Sequence, residues 1–246
     1  VQRSLSRVDI STIFFFLGIL MSVQALIVTG QLAIMANLLS DVGYEEININ
    51  IGCPSGTVTA KGKGSGMLRD LYALDAFLNE VCAKSPINVS VKTRIGVKET
   101  EEFPAILDLY NAYPICELTV HPRTTKEMYK GLAHRDVFAA AMEKTDLPLC
   151  YNGDITTPQE AHEISAVFPG VEAVMIGRAA VKNPALFRQI KGGSALEKSE
   201  LRAFHEAMYA GYRELFDRRI AMKKMKELWN GMIHNFADSE KIAKKL

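Results

Sequence analysis

The sequence predicts an α/β fold, a (β/α)8 barrel of the TIM type followed by a C-terminal helical domain. Short β-branched runs alternate with longer amphipathic stretches, which is the pattern of repeated βα units and therefore of a parallel sheet. The strand candidates recur roughly every twenty-five to forty residues without a dinucleotide GxGxxG fingerprint, which favours a closed barrel over a doubly wound open sheet. Beyond residue 190 strand candidates cease altogether.

Taken in order, the strand candidates are SVQALIV (22–28), EININIG (46–52), INVSVKT (87–93), CELTVH (116–121), LPLCYNG (147–153) and VEAVMIG (171–177). Amphipathic stretches long enough for crossover helices lie between them at 31–42, 68–83, 100–113, 135–144 and 157–167. A barrel needs eight strands, and six are recognisable. Gly192, Gly193 and Ser194 then form a flexible joint, followed by two expected helices at 200–216 and 218–236, with Met225 and Trp229 on the apolar face of the second. The expected division is a barrel over 1–190, N-terminally incomplete, and a helical domain over 191–246. No internal repeat or low-complexity stretch is evident.

A chain of 246 residues, 48% hydrophobic and 23% charged, has the composition and length of one large globular domain with a small appendage. The formal net charge of +1 means that a strongly charged partner must be met by a local patch. Bulk charge neither points to nucleic acid nor excludes it. Cys53, Cys82, Cys116 and Cys150 form no CxxC pair and have no histidine at zinc-ligand spacing, so neither a disulfide framework nor a metal site is expected. Cys82, Cys116 and Cys150 sit in apolar contexts and read as small buried hydrophobes.

The apolar run IFFFLGILMSVQALIV at 13–28 follows Arg3 and Arg7, but Ser22 and Gln24 interrupt it before it is long enough to span a bilayer. A secretory signal fits its outline, with Ala25 as the small residue. A cytoplasmic protein lacking its natural beginning is the simpler account, since the chain starts with Val. No membrane association and a monomeric state are expected.

Nearly every strand candidate ends in a polar or glycine-containing cluster, and in an α/β barrel that end is where an active site forms. The clusters are Asn50-Ile51-Gly52-Cys53-Pro54, Lys92-Thr93-Arg94, His121-Pro122-Arg123, Asn152-Gly153-Asp154 and Gly177-Arg178. Singly, each reads as a turn or a solvated strand end. Their recurrence at the same end of successive strands is what points to a site.

In this order and at these intervals, NIGCPS, VKTRIG, VHPRT, YNGDI and VMIGR resemble the tRNA-dihydrouridine synthases, and the tail around KKMKELWNGMI resembles the helical domain of that family. The resemblance runs from about residue 22 to 236. It implies that the six strands are barrel strands three to eight, that the first two strands and a flavin loop are missing from this stretch, and that FMN is the cofactor and NADPH the electron donor. Reducing the 5,6 double bond of uracil takes a hydride at carbon 6 and a proton at carbon 5, so a flavin and a positioned acid must flank the base. Cys53 is the candidate acid, because a thiol is mostly protonated near neutrality yet can release its proton. The segment TVTAKGKGSG at 57–66 resembles a family loop that closes over substrate; on its residues alone it is a flexible basic turn.

The same resemblance assigns Gln24, Lys92 and His121 to the flavin, with Lys92 placed to stabilise negative charge on the reduced ring. Asn152, Gly153, Asp154, Gly177 and Arg178 fall after the last two strands, where backbone N–H groups and a guanidinium commonly hold a cofactor phosphate. Asn50, Arg94 and Arg123 are expected on the substrate side. For tRNA, the tail offers Arg218, Arg219 and Lys223 within a wider basic cluster of Arg213, Lys224 and Lys226. The alternative for that cluster is a solvated face paired with Glu214, Asp217 and Glu227. Barrel and tail together are expected to grip tRNA while one uridine is turned out of its stack. Two other readings stand beside this one: an FMN barrel acting on a free pyrimidine, like a dihydroorotate dehydrogenase, and a flavin-free RNA-binding relative.

Overall fold

A computed structural model of the chain describes residues 31–243, in two compact units. Among the described residues the first comprises 31–153 and Gly170–Met175, the second Asp154–Pro169 and 176–243. The strand expected at 22–28, with Gln24, lies outside the described residues.

The first unit begins with α1 (Gln31–Asp41) and β1 (Glu46–Ile51), followed by a single turn, α2 (Gly56–Thr59), and a 3-10 segment (Gly64–Arg69). Then come α3 (Leu71–Lys84), β2 (Asn88–Arg94), a 3-10 turn (Thr100–Glu102), α4 (Phe103–Asn111), β3 (Ile115–His121), α5 (Arg135–Met142), β4 (Leu149–Tyr151) and β5 (Ala173–Val174). The five strands form one sheet in the order β1-β2-β3-β4-β5, every pair parallel. A sheet laid down in strict chain order has no switch point, and that order is the wall of a (β/α)8 barrel.

Why these residues form this wall follows from the register. Ile51, Thr93, Val120, Tyr151 and Val174 are successive partners, and this row faces the helices. The Tyr110 hydroxyl of α4 donates to Thr93 Oγ1 at 2.9 Å, and Phe138 of α5 meets Tyr151 edge-on at 5.0 Å. Burial of Ile51, Leu74, Leu78, Val91, Ile106 and Leu118 joins sheet to helices, at about 1.5–3 kcal/mol per large aliphatic side chain. Side chains alternate faces along a strand. The other row, Asn50, Lys92, Thr119 and Cys150, therefore lies on the opposite face, and it is polar. Further along that face Asn48 Nδ2 donates to Ser90 Oγ at 2.8 Å, the Ser90 hydroxyl donates to Glu46, and Thr119 Oγ1 donates to Glu117 Oε1 at 3.0 Å.

Helix starts follow local chemistry. Asp70 Oδ1 accepts the Ala73 N–H ahead of α3. The last two strands are shorter than the seven residues expected. Pro148 has no N–H to donate, so β4 starts after it, and only the Pro148 carbonyl is used, by Leu118 N at 2.8 Å. Beyond β5 the ladder continues by a single bond, from Met175 N to the Tyr151 carbonyl at 2.8 Å.

The second unit is helical: α6 (Pro158–Val167), α7 (Arg178–Lys182), α8 (Leu186–Ile190), α9 (Lys198–Leu215), α10 (Arg218–Met232), a 3-10 turn (Ile233–Asn235) and α11 (Ser239–Ala243). Thr157 and Glu160 form a capping box before α6, and Asp217 Oδ1 accepts the Ile220 N–H at the start of α10. Met208, Tyr212, Ala221, Met225 and Met232 are buried, and Trp229 lies between His205 and Phe236, with ring centroids 5.6 and 5.9 Å away. Among the described residues no helix is long and apolar enough to cross a membrane.

Candidate active site

Cys53 stands two residues beyond β1, half-buried, in a loop fixed from both sides. Asn50 Oδ1 accepts the Gly52 N–H at 3.0 Å, closing a side-chain turn that ends the strand. The Cys53 carbonyl accepts both the backbone N–H and the hydroxyl of Ser65, each at 3.0 Å. The 57–66 segment is therefore not a free turn. Gly64, Ser65 and Gly66 are buried against the Cys53 loop, and Arg69 Nη1 donates to the Thr59 carbonyl at 3.2 Å. Glycine is required at two of these positions. A Cβ on Gly64, whose φ is +52°, would sit 2.7 Å from the Cys53 carbonyl oxygen, and one on Gly66 would sit 2.7 Å from that of Thr59.

Lys92 is the direct partner of Asn50 in the ladder, on the polar face of the sheet. Burial, with the Arg94 guanidinium adding to it, pushes its ammonium down from 10.5 to about 8. The Cys53 and Cys150 thiols lie within electrostatic reach and oppose that fall. Burial pushes the Cys150 thiol up to about 11. All four cysteines are free.

Arg94 and Arg123, expected toward substrate, are both turned into the protein, with 1% exposure each. Arg94 Nε donates to the Gly52 carbonyl at 3.0 Å and Nη1 to the Thr124 carbonyl at 2.7 Å, so one guanidinium ties the Cys53 loop to the loop after β3. Its carbon lies 5.3 Å from the centre of the Tyr129 ring. Burial lowers the Arg94 pKa, and Tyr129 opposes that. Arg123 Nη2 donates to the Gly131 carbonyl at 2.6 Å, and Nη1 lies 3.1 Å from His121 Nε2. A guanidinium can only donate, so this nitrogen of His121 is the acceptor and the ring proton sits on Nδ1. His121 is buried and pairs with Arg94 in the ladder.

Asn152 follows β4, its N–H bonded to the Val120 carbonyl at 3.0 Å and its Nδ2 to that of Met175 at 2.7 Å. Gly153 is buried beside Ala133 and Tyr151. Asn50, Cys53, Lys92, Arg94, His121, Arg123, Asn152 and Gly153 thus all belong to the first unit, at the carboxyl ends of its strands. Asp154, with φ of +48°, and Gly177 and Arg178, which open the five-residue α7, belong to the second.

Arg218, Arg219 and Lys223 are exposed on α10 and none is ion-paired among the described residues. Asp217 is used as the helix cap, while Lys224 lies over the rings of Tyr212 and Phe216 at 5.9 and 5.3 Å. Among the described residues no group of three His, Cys, Asp or Glu side chains could hold a metal ion.

Sequence reasoning stopped at Arg123 and missed the rest of that loop, 124–134, as part of the site. Glu127 accepts from the Thr124 N–H at 2.6 Å and its other oxygen meets His134 Nε2 at 2.6 Å, which, against the opposing effect of burial, holds the carboxyl below its ordinary range. The signal available was an aromatic flanked by lysines, KEMYK, in a segment with no periodicity.

These features define an α/β-barrel protein with a thiol-centred polar site at the carboxyl ends of its strands. The dihydrouridine synthase family model matches residues 20–244, and the chain belongs to that family. tRNA-dihydrouridine synthase B of Escherichia coli K12 is 33% identical over 192 residues, covering 76% of this chain and 60% of that protein. The protein of the same name from Pseudomonas aeruginosa is 34% identical over 151 residues, covering 61% of this chain and 45% of its own length. The chain thus spans about three fifths, or less, of the curated relatives it matches. Among solved structures, morphinone reductase aligns at 14% identity with a TM-score of 0.47, covering 69% of this chain and 50% of its own.

Proposed function

We propose that this protein reduces the 5,6 double bond of uridines in tRNA, with FMN as cofactor, NADPH as electron donor and Cys53 as proton donor, in the cytoplasm. The observation that carries the reading is the Asn50 to Pro54 loop: Gly64 and Ser65 close over the Cys53 backbone, and the thiol shares its surroundings with Lys92 and Arg94. The donor set fits a planar, acceptor-rich and reducible ring. A half-buried ammonium stands on the polar face of the sheet, flanked in the ladder by Asn50 and Thr119. Lys92, His121 and Asn152 would hold such a ring, with the buried Gly153 next to Asn152.

When bound, the flavin supplies the hydride taken up at carbon 6 of uracil. Cys53 Sγ–H gives its proton to carbon 5, the carbon–carbon double bond becomes single, and the sulfur is left as thiolate until water reprotonates it. Asn50, whose side-chain carbonyl is spent on Gly52, has its amide left to meet the base. Arg94 and Arg123 act here through the loops they hold. Arg218, Arg219 and Lys223 are proposed as phosphate contacts, within a helical domain over 191–246 that serves the RNA while 1–190 serves the flavin.

Anaerobic stopped-flow absorbance tests this reading. The reduced protein mixed with unmodified tRNA is expected to reoxidise, and Cys53→Ala to slow that step by at least about 100-fold, the lower end of the loss of a general acid. Flavin content and reduction by NADPH are expected to stay as in the parent. A Cys53→Ala protein reoxidised by tRNA as fast as the parent would assign the proton elsewhere.

A further inference from the structure

After β3 the chain makes a thirteen-residue loop, 122–134, before α5. The loop is bound along both limbs. The Ile95 N–H bonds to the Arg123 carbonyl, Thr125 N to Gly96 O and Lys126 N to Val97 O, and His134 N returns to the Pro122 carbonyl at 2.8 Å. Arg94, Arg123 and the Glu127–His134 pair lock its interior. On this rigid base the apex is turned outward. Met128 takes a φ of +56°, which crowds Cβ against carbonyl oxygen in any L residue, and Tyr129 after it is 51% exposed with the buried Arg94 guanidinium beneath its ring. Leu132 is 84% exposed.

The charge around this ring is positive. Lys130 is exposed beside it, and Lys126 lies 3.6 Å from Glu99 in a loose surface pair. The one acidic residue within the loop, Glu127, is committed to Thr124 and His134. A rigid aromatic face, backed by a cation and edged by lysine, is what an unpaired nucleobase and its phosphate require. Arg94 also bonds to the Gly52 carbonyl, so Tyr129 stands one guanidinium away from the Cys53 loop.

We infer that Tyr129, held on Arg94 at the apex of the 122–134 loop, is a stacking platform for the unpaired base next to the uridine that enters the site. The inference rests on the proposed tRNA reaction and adds a positioning surface to it. The energetic origin is π-stacking, so it releases few counterions and is insensitive to base identity.

The test is titration of fluorescently labelled, unmodified tRNA into the flavin-loaded parent, Tyr129→Ala and Tyr129→Phe over a salt series. Tyr129→Ala is expected to weaken binding by about 5- to 150-fold, the range for loss of one base–aromatic stack, with the slope of log K against log salt unchanged. Tyr129→Phe, which keeps the ring, is expected within about 2-fold of the parent. Parental affinity in Tyr129→Ala, equal losses in both variants, or a reduced salt slope in Tyr129→Ala would each overturn the platform. A parent that binds tRNA through Tyr129 yet is not reoxidised by it would leave the platform standing and remove the proposed reaction. A parent that binds no tRNA would remove both.

Discussion

Replacing Lys92 by Met keeps an unbranched side chain of similar length and removes one charge from the polar face of the sheet. The parent ammonium is pushed from 10.5 to about 8, largely by burial, so below about pH 8 the folded state carries a charge that it disfavours. At about 1.4 kcal/mol for each tenfold change in proton affinity, that fall bounds the penalty at about 3 kcal/mol. Lys92 is half-buried, so a gain of about 1–3 kcal/mol in Lys92→Met at neutral pH is expected. The sign has a pH signature. From about 8 to 10.5 the unfolded chain holds the proton that the folded chain has released, so parent stability rises with pH and the gap between the two proteins closes. Arg94, Cys53 and Cys150 are the charged and titratable groups acting on Lys92; they are common to both proteins, so the difference isolates Lys92. Urea denaturation of the flavin-free proteins near about pH 7 and about pH 10 measures it. Lys92→Met is also expected to retain less flavin, a stability gained at the cost of binding. A variant less stable than the parent at neutral pH, or a gap that persists at high pH, would refute the reasoning.

Charge reversal of Arg218, Arg219 and Lys223 together is expected to weaken tRNA binding and lower its salt slope by about three, with flavin content unchanged; unaltered affinity across a salt series would leave them as a solvated face. Gly64→Ala places a methyl 2.7 Å from the Cys53 carbonyl oxygen at a φ of +52°. A loss of about 2–4 kcal/mol in urea stability is expected, with slower reoxidation by tRNA because the Cys53 backbone shifts; parental behaviour in both would show that the loop yields freely.

How much of this was legible in the sequence depended on how local each determinant is. EININI announced β1 because isoleucine and polar residues alternate without a break, and the structure buries the isoleucines while Glu46, Asn48 and Asn50 share the other face. The helices α9 and α10 were legible from long amphipathic runs, whereas α7, α8 and α11, five residues each, are too short to show a period. VEAVMIG has the composition of a strand, yet only Ala173 and Val174 pair fully. The glycines of KGKGSG read as flexibility; their actual reason is close approach to Cys53 and Thr59, which no local pattern encodes. The strand-end clusters were legible as a set because a barrel collects strand ends, but their orientations were not.

Arg94 shows what that difference in orientation does. By sequence it is a cation at a strand end, two residues from Lys92 and on the same face, and hence a group for substrate. Whether it reaches outward is decided by Gly52 and Thr124, which lie 42 and 30 residues away and offer their carbonyls to it. Carbonyl dipoles orient a guanidinium without cancelling its charge, and no carboxylate among the described residues pairs with it. A carboxylate partner would have held Arg94 in place equally well, but would have quenched its field at Cys53. Bound as it is, one buried cation fixes the Cys53 loop, backs the Tyr129 ring and keeps its positive charge within reach of the Cys53 sulfur.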